Sequence, residues 1–191
     1  MEYAYMKKKT YITAIALIVS SFSFSGQAFS ANEPSSMLAK LSPENSGGTF
    51  KYSTDTNISS EQKKVYDTII KYQTALNAGD TKTILGLFAN ESYSQWNDML
   101  TADSTEKRKV QYDNLFQREK FETEFAFDSI WINGNTAVVR THHHIGSVVT
   151  NFKDQKTVID LNREVFVLSK VNGEWKIFLY TFNTNPLQGS A

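Results

Sequence analysis

Phe121-Glu-Thr-Glu-Phe-Ala-Phe-Asp-Ser-Ile-Trp-Ile-Asn-Gly-Asn-Thr-Ala-Val-Val-Arg140 is the stretch that decides the fold. Thr123, Phe125 and Phe127 recur every second residue, and Ile130 and Ile132 continue that period on the opposite parity. A period of two marks a strand whose alternate side chains share one face. One extra residue near Asp128-Ser129 would return both halves to the same face, and such a bulge bends a sheet. Asn133-Gly134 then supplies the two residues that a tight hairpin needs, because both tolerate positive φ. Further along, a strand runs from Thr136 to about Phe152 with a break at Gly146, and a turn follows at Asp154–Lys156. Thr157 to Val171 reads as a third strand, Asn172-Gly173 as a second hairpin, and Glu174 to Asn183 as the last strand.

Before Phe121 the period is helical. Ser59-x-x-Gln62 has the form of a capping box, and Val65, Ile69, Tyr72 and Leu76 follow at spacings of four and three. They predict one amphipathic helix over roughly 60–78. Gly79 suits its C-cap, and Asp80 caps a second helix carrying Ile84, Leu87 and Phe88. After a less regular stretch, Tyr93-Ser-Gln-Trp96, a third helix is expected from Ser104 to about Lys120. Helices first and a hairpin-linked sheet afterwards make the class α+β, with N-terminal helices packed on a strongly curved antiparallel sheet.

The N-terminus has a different character. Lys7, Lys8 and Lys9 precede an apolar run from Tyr11 to Val19, and Ala28-Phe29-Ser30 places small residues at the −3 and −1 positions of a cleavage site. Basic, apolar and small-x-small segments in that order form a secretory signal, expected to be removed after Ser30. The expected organisation is a signal over 1–30, a polar linker over 31–57 rich in Ser, Asn, Gly and Pro, a domain over 58–185, and a tail over 186–191. The mature chain is expected in the periplasm or outside the cell, without membrane attachment.

Composition narrows the function classes. The 191 residues hold 20 basic and 20 acidic side chains, and without residues 1–30 the balance is 17 to 19. A nearly neutral domain lacks the basic face that nucleic acid requires. No cysteine is present, which removes disulfides, thiolate chemistry, Cys-ligated zinc and a lipid-modified cysteine. There is no glycine-rich phosphate loop, Gly-x-Ser-x-Gly elbow or His-Glu-x-x-His, so neither cofactor nor metal is expected.

Three stretches carry a resemblance: Ile69-Ile-Lys-Tyr-Gln-Thr-Ala-Leu-Asn-Ala-Gly-Asp80 with Leu87-Phe-Ala89, Ile130-Trp-Ile-Asn-Gly-Asn-Thr-Ala-Val-Val139, and Arg163-Glu-Val-Phe-Val-Leu-Ser-Lys-Val-Asn-Gly-Glu-Trp-Lys-Ile177. Together they resemble the nuclear-transport-factor-like, SnoaL-like superfamily, whose cystatin-like cone hosts enzymes, ligand binders and association modules. The resemblance implies a cone-shaped pocket. Where many SnoaL-like members end the last strand with His-x-Ser, this chain has Thr181 and Asn183. The Tyr/Asp/Asp set of ketosteroid isomerases and the Asp-Arg-Asp set of epoxide hydrolases have no matching motif.

Thr141-His-His-His-Ile145 is the most conspicuous polar cluster. Ala137, Val139, Thr141, His143 and Ile145 form the cleaner apolar row, so His143 is expected inside the cone and His142 and His144 outside. A neutral imidazole in an apolar pocket can serve as a general base, which makes His143 the catalytic candidate; a core histidine bonded to a neighbouring strand is the structural counterpart. Arg163, if inward, needs a carboxylate such as Asp128, Asp160 or Glu164, or an anionic ligand. Tyr66, Tyr93 and Trp96 are candidates for a pocket mouth, and Thr181 and Asn183 join them through the resemblance.

Two functions follow. One is a pocket for a small, largely apolar molecule, with simple acid/base chemistry of isomerase, cyclase or dehydratase type open to it. The other is a non-catalytic module that binds an envelope protein or forms a homodimer through its outer sheet face. Alternation from inward Ile130, Ile132, Ile177 and Leu179 would place Trp131, Phe166, Leu168, Phe178, Tyr180 and Phe182 on that face.

Overall fold

The computed structural model describes residues 47–184. The signal, most of the linker and the tail expected from sequence lie outside these residues. Helix α1 spans Thr56–Ala78, α2 Thr81–Leu87 and α3 Thr105–Phe116. The strands are β1 Phe88–Gln95, β2 Glu119–Glu122, β3 Phe125–Asn133, β4 Thr136–His143, β5 Val148–Asn151, β6 Lys156–Ile159, β7 Asn162–Val171 and β8 Glu174–Thr184. They form a five-stranded sheet in the order β1-β8-β7-β4-β3 and a three-stranded sheet in the order β2-β5-β6. Among the described residues no helix is long and apolar enough to cross a membrane.

Helix α1 begins earlier than its capping-box signature suggests. Asp55 is the N-cap, accepting from the backbone N–H groups of Asn57 and Ile58, while Ser59 lies within the helix. Gly79 ends it in the left-handed conformation, at φ 65°, and Asp80 caps α2. The buried side of α1 carries the expected Val65, Ile69, Tyr72 and Leu76. Three amides on this helix reach the edge strand β3 and its approach. Gln62 donates to the Ile130 carbonyl at 2.8 Å, Gln73 accepts from the Phe125 N–H at 2.7 Å, and Asn77 bonds both backbone groups of Thr123 at 2.9 Å. An edge strand otherwise leaves such groups unpaired, at a cost when they are buried.

Residues 47–52, read as the end of a linker, run beside the same edge. The Phe50 N–H donates to the Phe127 carbonyl at 3.0 Å, and the Phe50 ring is buried against Tyr52. At the far end of the sheet, Glu61 of α1 accepts from Lys170 Nζ and Trp175 Nε1 across the second hairpin. The bonds to Lys170 and Lys64 outweigh partial burial and hold the Glu61 carboxyl down to about 2.

Both hairpins form as the sequence indicates, with positive φ at Gly134, Asn172 and Gly173. The bulge between Phe127 and Ser129 also forms. A second bulge, opposite Val167 and Leu168, was not anticipated: Leu168 pairs Ile177 while Val167 pairs Leu179, so Phe178 is the extra residue. This bulge turns Tyr180 and Phe182 away from the expected outer face, whereas Phe166 and Leu168 face inward on the parity of β7 itself. Trp175, Ile177 and Tyr180 are all buried, and Phe166 and Leu168 are fully buried on the inner face of β7. Of the six aromatic and aliphatic residues expected outside, Trp131 and Phe178 are exposed, at 54% and 40%. Two long strands of the sequence reading are in fact interrupted, at residues 144–147 and 160–161, and each continues into the smaller sheet. Residues 88–95 form an edge strand parallel to β8, which no turn or hairpin in the sequence announces.

Because Phe50 fills a core position next to the edge strand, Phe50→Ala is expected to lower stability by about 3 kcal/mol. Urea unfolding measures it, and a loss near zero would detach residues 47–52 from the folded unit.

Candidate functional site

β4 delivers the alternating inward row Ala137, Val139, Thr141 and His143, and it ends on His143. The chain then turns, with the His144 N–H donating to the Glu124 carbonyl and Gly146 at φ 108°. Ile145, expected to extend the inward row, is therefore exposed, at 74%. His142 and His144 diverge. The first meets Asp128 at 3.1 Å and the second faces Glu124 at 3.8 Å, so they do not converge on a common ligand.

Two carboxylates flank the His143 ring. Asp160 sits at the break between β6 and β7, with Oδ2 3.0 Å from His143 Nδ1. Its Oδ2 also accepts from Thr123 Oγ1 at 3.2 Å, and its Oδ1 from Asn162 Nδ2 at 2.8 Å. Glu164 lies on the inner face of β7, directly opposite Thr141 of β4. Thr141 Oγ1 donates to Glu164 Oε2 at 2.7 Å. Glu164 Oε1 lies 2.5 Å from His143 Nε2 as an ion-pair contact and has no aligned hydrogen-bond donor among the described residues. All three side chains are buried.

The electrostatics of this cluster decide the protonation of the imidazole. Burial disfavours the charged ring, but the Glu164 charge and the bond to Asp160 together outweigh it, pushing His143 up to about 10. The neutral imidazole acting as a base, expected from the sequence, does not fit: near neutrality His143 is an imidazolium with both nitrogens occupied. Beside it, Tyr72 and Tyr112 share a hydroxyl–hydroxyl bond of 2.7 Å, and the Tyr72 and Tyr180 rings lie 5.2 Å apart. Burial raises all three phenols well above their ordinary value, so they remain neutral donors.

Next to the cluster lies a cavity of about 450 Å³ with both His143 and Asp160 in its lining. Trp96, Phe121, Tyr180 and Phe182 give it an aromatic wall. The volume falls within the range of small-molecule sites. Trp96 Nε1 is buried, and among the described residues it meets no acceptor.

The structure thus brings two of the sequence candidates, His143 and Trp96, to the cavity. Tyr66 packs against Phe127, with ring centroids 4.8 Å apart, away from the cavity lining. Tyr93 packs on Phe178 at 5.8 Å and is largely exposed. Arg163 points outward, and its Nε donates to Asn183 Oδ1 at 3.1 Å outside the cone. Thr181 takes the parity opposite Tyr180 and Phe182, because the bulge at Phe178 has reversed the strand's facing. In the sequence Asp160 and Glu164 stand out only as carboxylate partners for Arg163. The available signal for Glu164 was its place in the row Glu164, Phe166 and Leu168, a lone charge among inward apolar residues.

No family model matches the chain, and no curated protein does. Solved structures do. A ketosteroid isomerase-like protein from Erwinia carotovora atroseptica SCRI1043 is similar with a TM-score of 0.61 at 18% identity, covering 65% of this chain and 95% of that one. A nuclear transport factor 2-like superfamily protein from Salmonella enterica serovar Typhimurium LT2 gives 0.59 at 16%, covering 69% and 95%. A third, from Novosphingobium aromaticivorans and described as having a cystatin-like fold, gives 0.53 at 14%, covering 69% and 86%. Five strands curved around a long helix, with a second small sheet that contributes to the cavity lining, thus make the nuclear-transport-factor-2-like, cystatin-like α+β fold, and that is the fold of this chain.

Proposed function

We propose that this domain, after export to the periplasm or the medium, binds a small and largely apolar molecule in its cavity. The observation that carries the reading is the about 450 Å³ cavity with four aromatic side chains in its lining and a buried His143–Asp160 pair. An apolar wall with few, fixed polar groups is the usual composition of a ligand site. The pair is arranged for holding rather than for turnover. Both ring nitrogens of His143 face carboxylates, so the imidazolium has no free lone pair with which to take a proton from a ligand. In this reading His143 positions Asp160, one of the polar groups of the lining. The Erwinia protein's description as ketosteroid isomerase-like keeps acid/base chemistry in view, and Asp160 is the group that would perform it.

The second reading is association through the outer sheet face, with its residues revised. Trp131, Phe178 and Tyr93 are exposed there, and Val138, Val165, Val167 and Leu179 are half-buried. Apolar patches of this kind often mark contact surfaces, and a symmetric pair of copies is the simplest cover.

Native mass spectrometry of the protein released by its own host addresses both. The expected spectrum shows a chain beginning at Ala31, a retained small-molecule adduct that His143→Ala loses, and a dimer that Trp131→Glu splits. A ligand-free monomer with an intact Lys7–Lys9 segment would defeat the whole reading.

A pH titration checks the cluster itself. The His143 value of about 10 lies above the free imidazole's 6.5, so its contribution to stability is whole below 6.5 and is lost as pH rises through about 10. The ring resonances of His143 are expected to stay in the protonated position well past neutrality. Titration near 6.5 would show that the carboxylates do not hold the proton.

A further inference from the structure

We propose that the cavity is selective for a cation: an amine or amidine on an aromatic or alicyclic body, its charge drawn to Glu119 and its body laid against the aromatic wall. This rests on the ligand-binding reading above and adds the charge of the ligand to it.

The argument begins with what lines the cavity. Among the described residues that line it, Glu119, Asp160 and His143 are the acidic and imidazole groups, and none is lysine or arginine. Glu164 stands behind the ring of His143, so the cavity lining and this backing hold three carboxylates and one imidazolium. That imidazolium is already engaged at both nitrogens, which leaves an anionic ligand without a cation to meet.

The neighbouring positive groups are directed elsewhere. On β2, Glu119 and Phe121 share the face that lines the cavity, whereas Lys120 and Glu122 take the opposite parity and pair with each other at 3.0 Å. Arg118 Nε donates to the Asn114 carbonyl at 3.1 Å. Glu119 therefore keeps a carboxylate with no ion pair among the described residues, partly exposed at the edge of an apolar chamber. An uncharged apolar ligand would desolvate that carboxylate without compensation. A cation compensates it and also gains from the negative faces of Trp96, Phe121, Tyr180 and Phe182.

Three naphthalenes of matched shape test this: 2-naphthylmethylamine, 2-naphthalenemethanol and 2-naphthoate, each titrated calorimetrically into the purified protein near neutral pH. The amine is expected to bind about tenfold more tightly than the alcohol, with naphthoate the weakest. Glu119→Gln is expected to bring the amine-to-alcohol ratio close to one. Because Glu119 is partly exposed and unpaired, this variant should fold, and its thermal unfolding checks that. Naphthoate binding as tightly as the amine, or an unchanged ratio in Glu119→Gln, overturns the cation inference and leaves the pocket reading standing. Failure of all three compounds to bind overturns both.

Discussion

Everything near the cavity depends on keeping a charged imidazole out of water. An isolated buried charge costs several kcal/mol, and only closely placed opposite charges and hydrogen bonds offset it. His143 obtains this from Asp160 on one nitrogen and Glu164 on the other. Each carboxylate must in turn be held. Thr141 fixes Glu164 from the paired position on the adjacent strand, and Thr123 and Asn162 fix Asp160. The demands run outward through the fold. The β4–β7 register has to set Thr141 opposite Glu164, and the chain has to leave the ladder at Asp160 to bring that carboxylate to Nδ1.

Curvature brings the inner row of the sheet against α1. A flat antiparallel sheet would carry its outer and inner rows straight through, and α1 could cover only part of the inner row. The bulges at Asp128 and Phe178 bend β3 and β8 around the helix, so Tyr72 touches Phe125, Phe166 and Tyr180 together. Bending leaves β3 as an edge that needs partners. Gln62, Gln73 and Asn77 supply them from the helix, which explains why amides, rather than further apolar groups, occupy buried or half-buried positions of α1. Those amides add bonds that tie helix to strand in one register, since a shifted helix would leave buried backbone groups unpaired.

What could be read from the sequence follows this division. Local chemistry was legible: the caps at Gly79 and Asp80, the Asn-Gly hairpins, the bulge at Asp128, and the inward facing of His143 by parity. Each depends on residues within a few positions of each other. The bulge at Phe178 was not legible, because no glycine or change of period marks it, and one uncounted residue exchanged Thr181 and Asn183 for Tyr180 and Phe182 at the cavity. The same extra residue turns Tyr180 and Phe182 inward, and on β7 both parities are apolar, Val165 and Val167 against Phe166 and Leu168, so alternation alone does not choose the inner face. The parallel pairing of β1 with β8 was also out of reach, since strands far apart in the chain carry no turn between them. Asp160 was hidden for a related reason: in a strand read as continuous from Thr157 to Val171, nothing marks the residue at which the chain steps out.

The two breaks in the long strands explain why a cavity exists where it does. β4 stops at His143 and resumes as β5, and β6 stops at Ile159 and resumes as β7. The breaks lie side by side, joined by the Asp160 N–H donating to the Ser147 carbonyl at 2.9 Å. Past this junction the strands belong to the smaller sheet, which pairs with β2 rather than with β3. The two sheets therefore separate at one line, and side chains from both face the space between. Phe121, Val149 and Ile159 come from the small sheet, and His143, Tyr180 and Phe182 from the large one. Had either strand run through unbroken, the ladder would have continued across this space and Asp160 would have remained a strand residue. The same departure from regular pairing thus opens the chamber and places the charged pair in its wall, which links the cavity and its chemistry to a single feature of the chain.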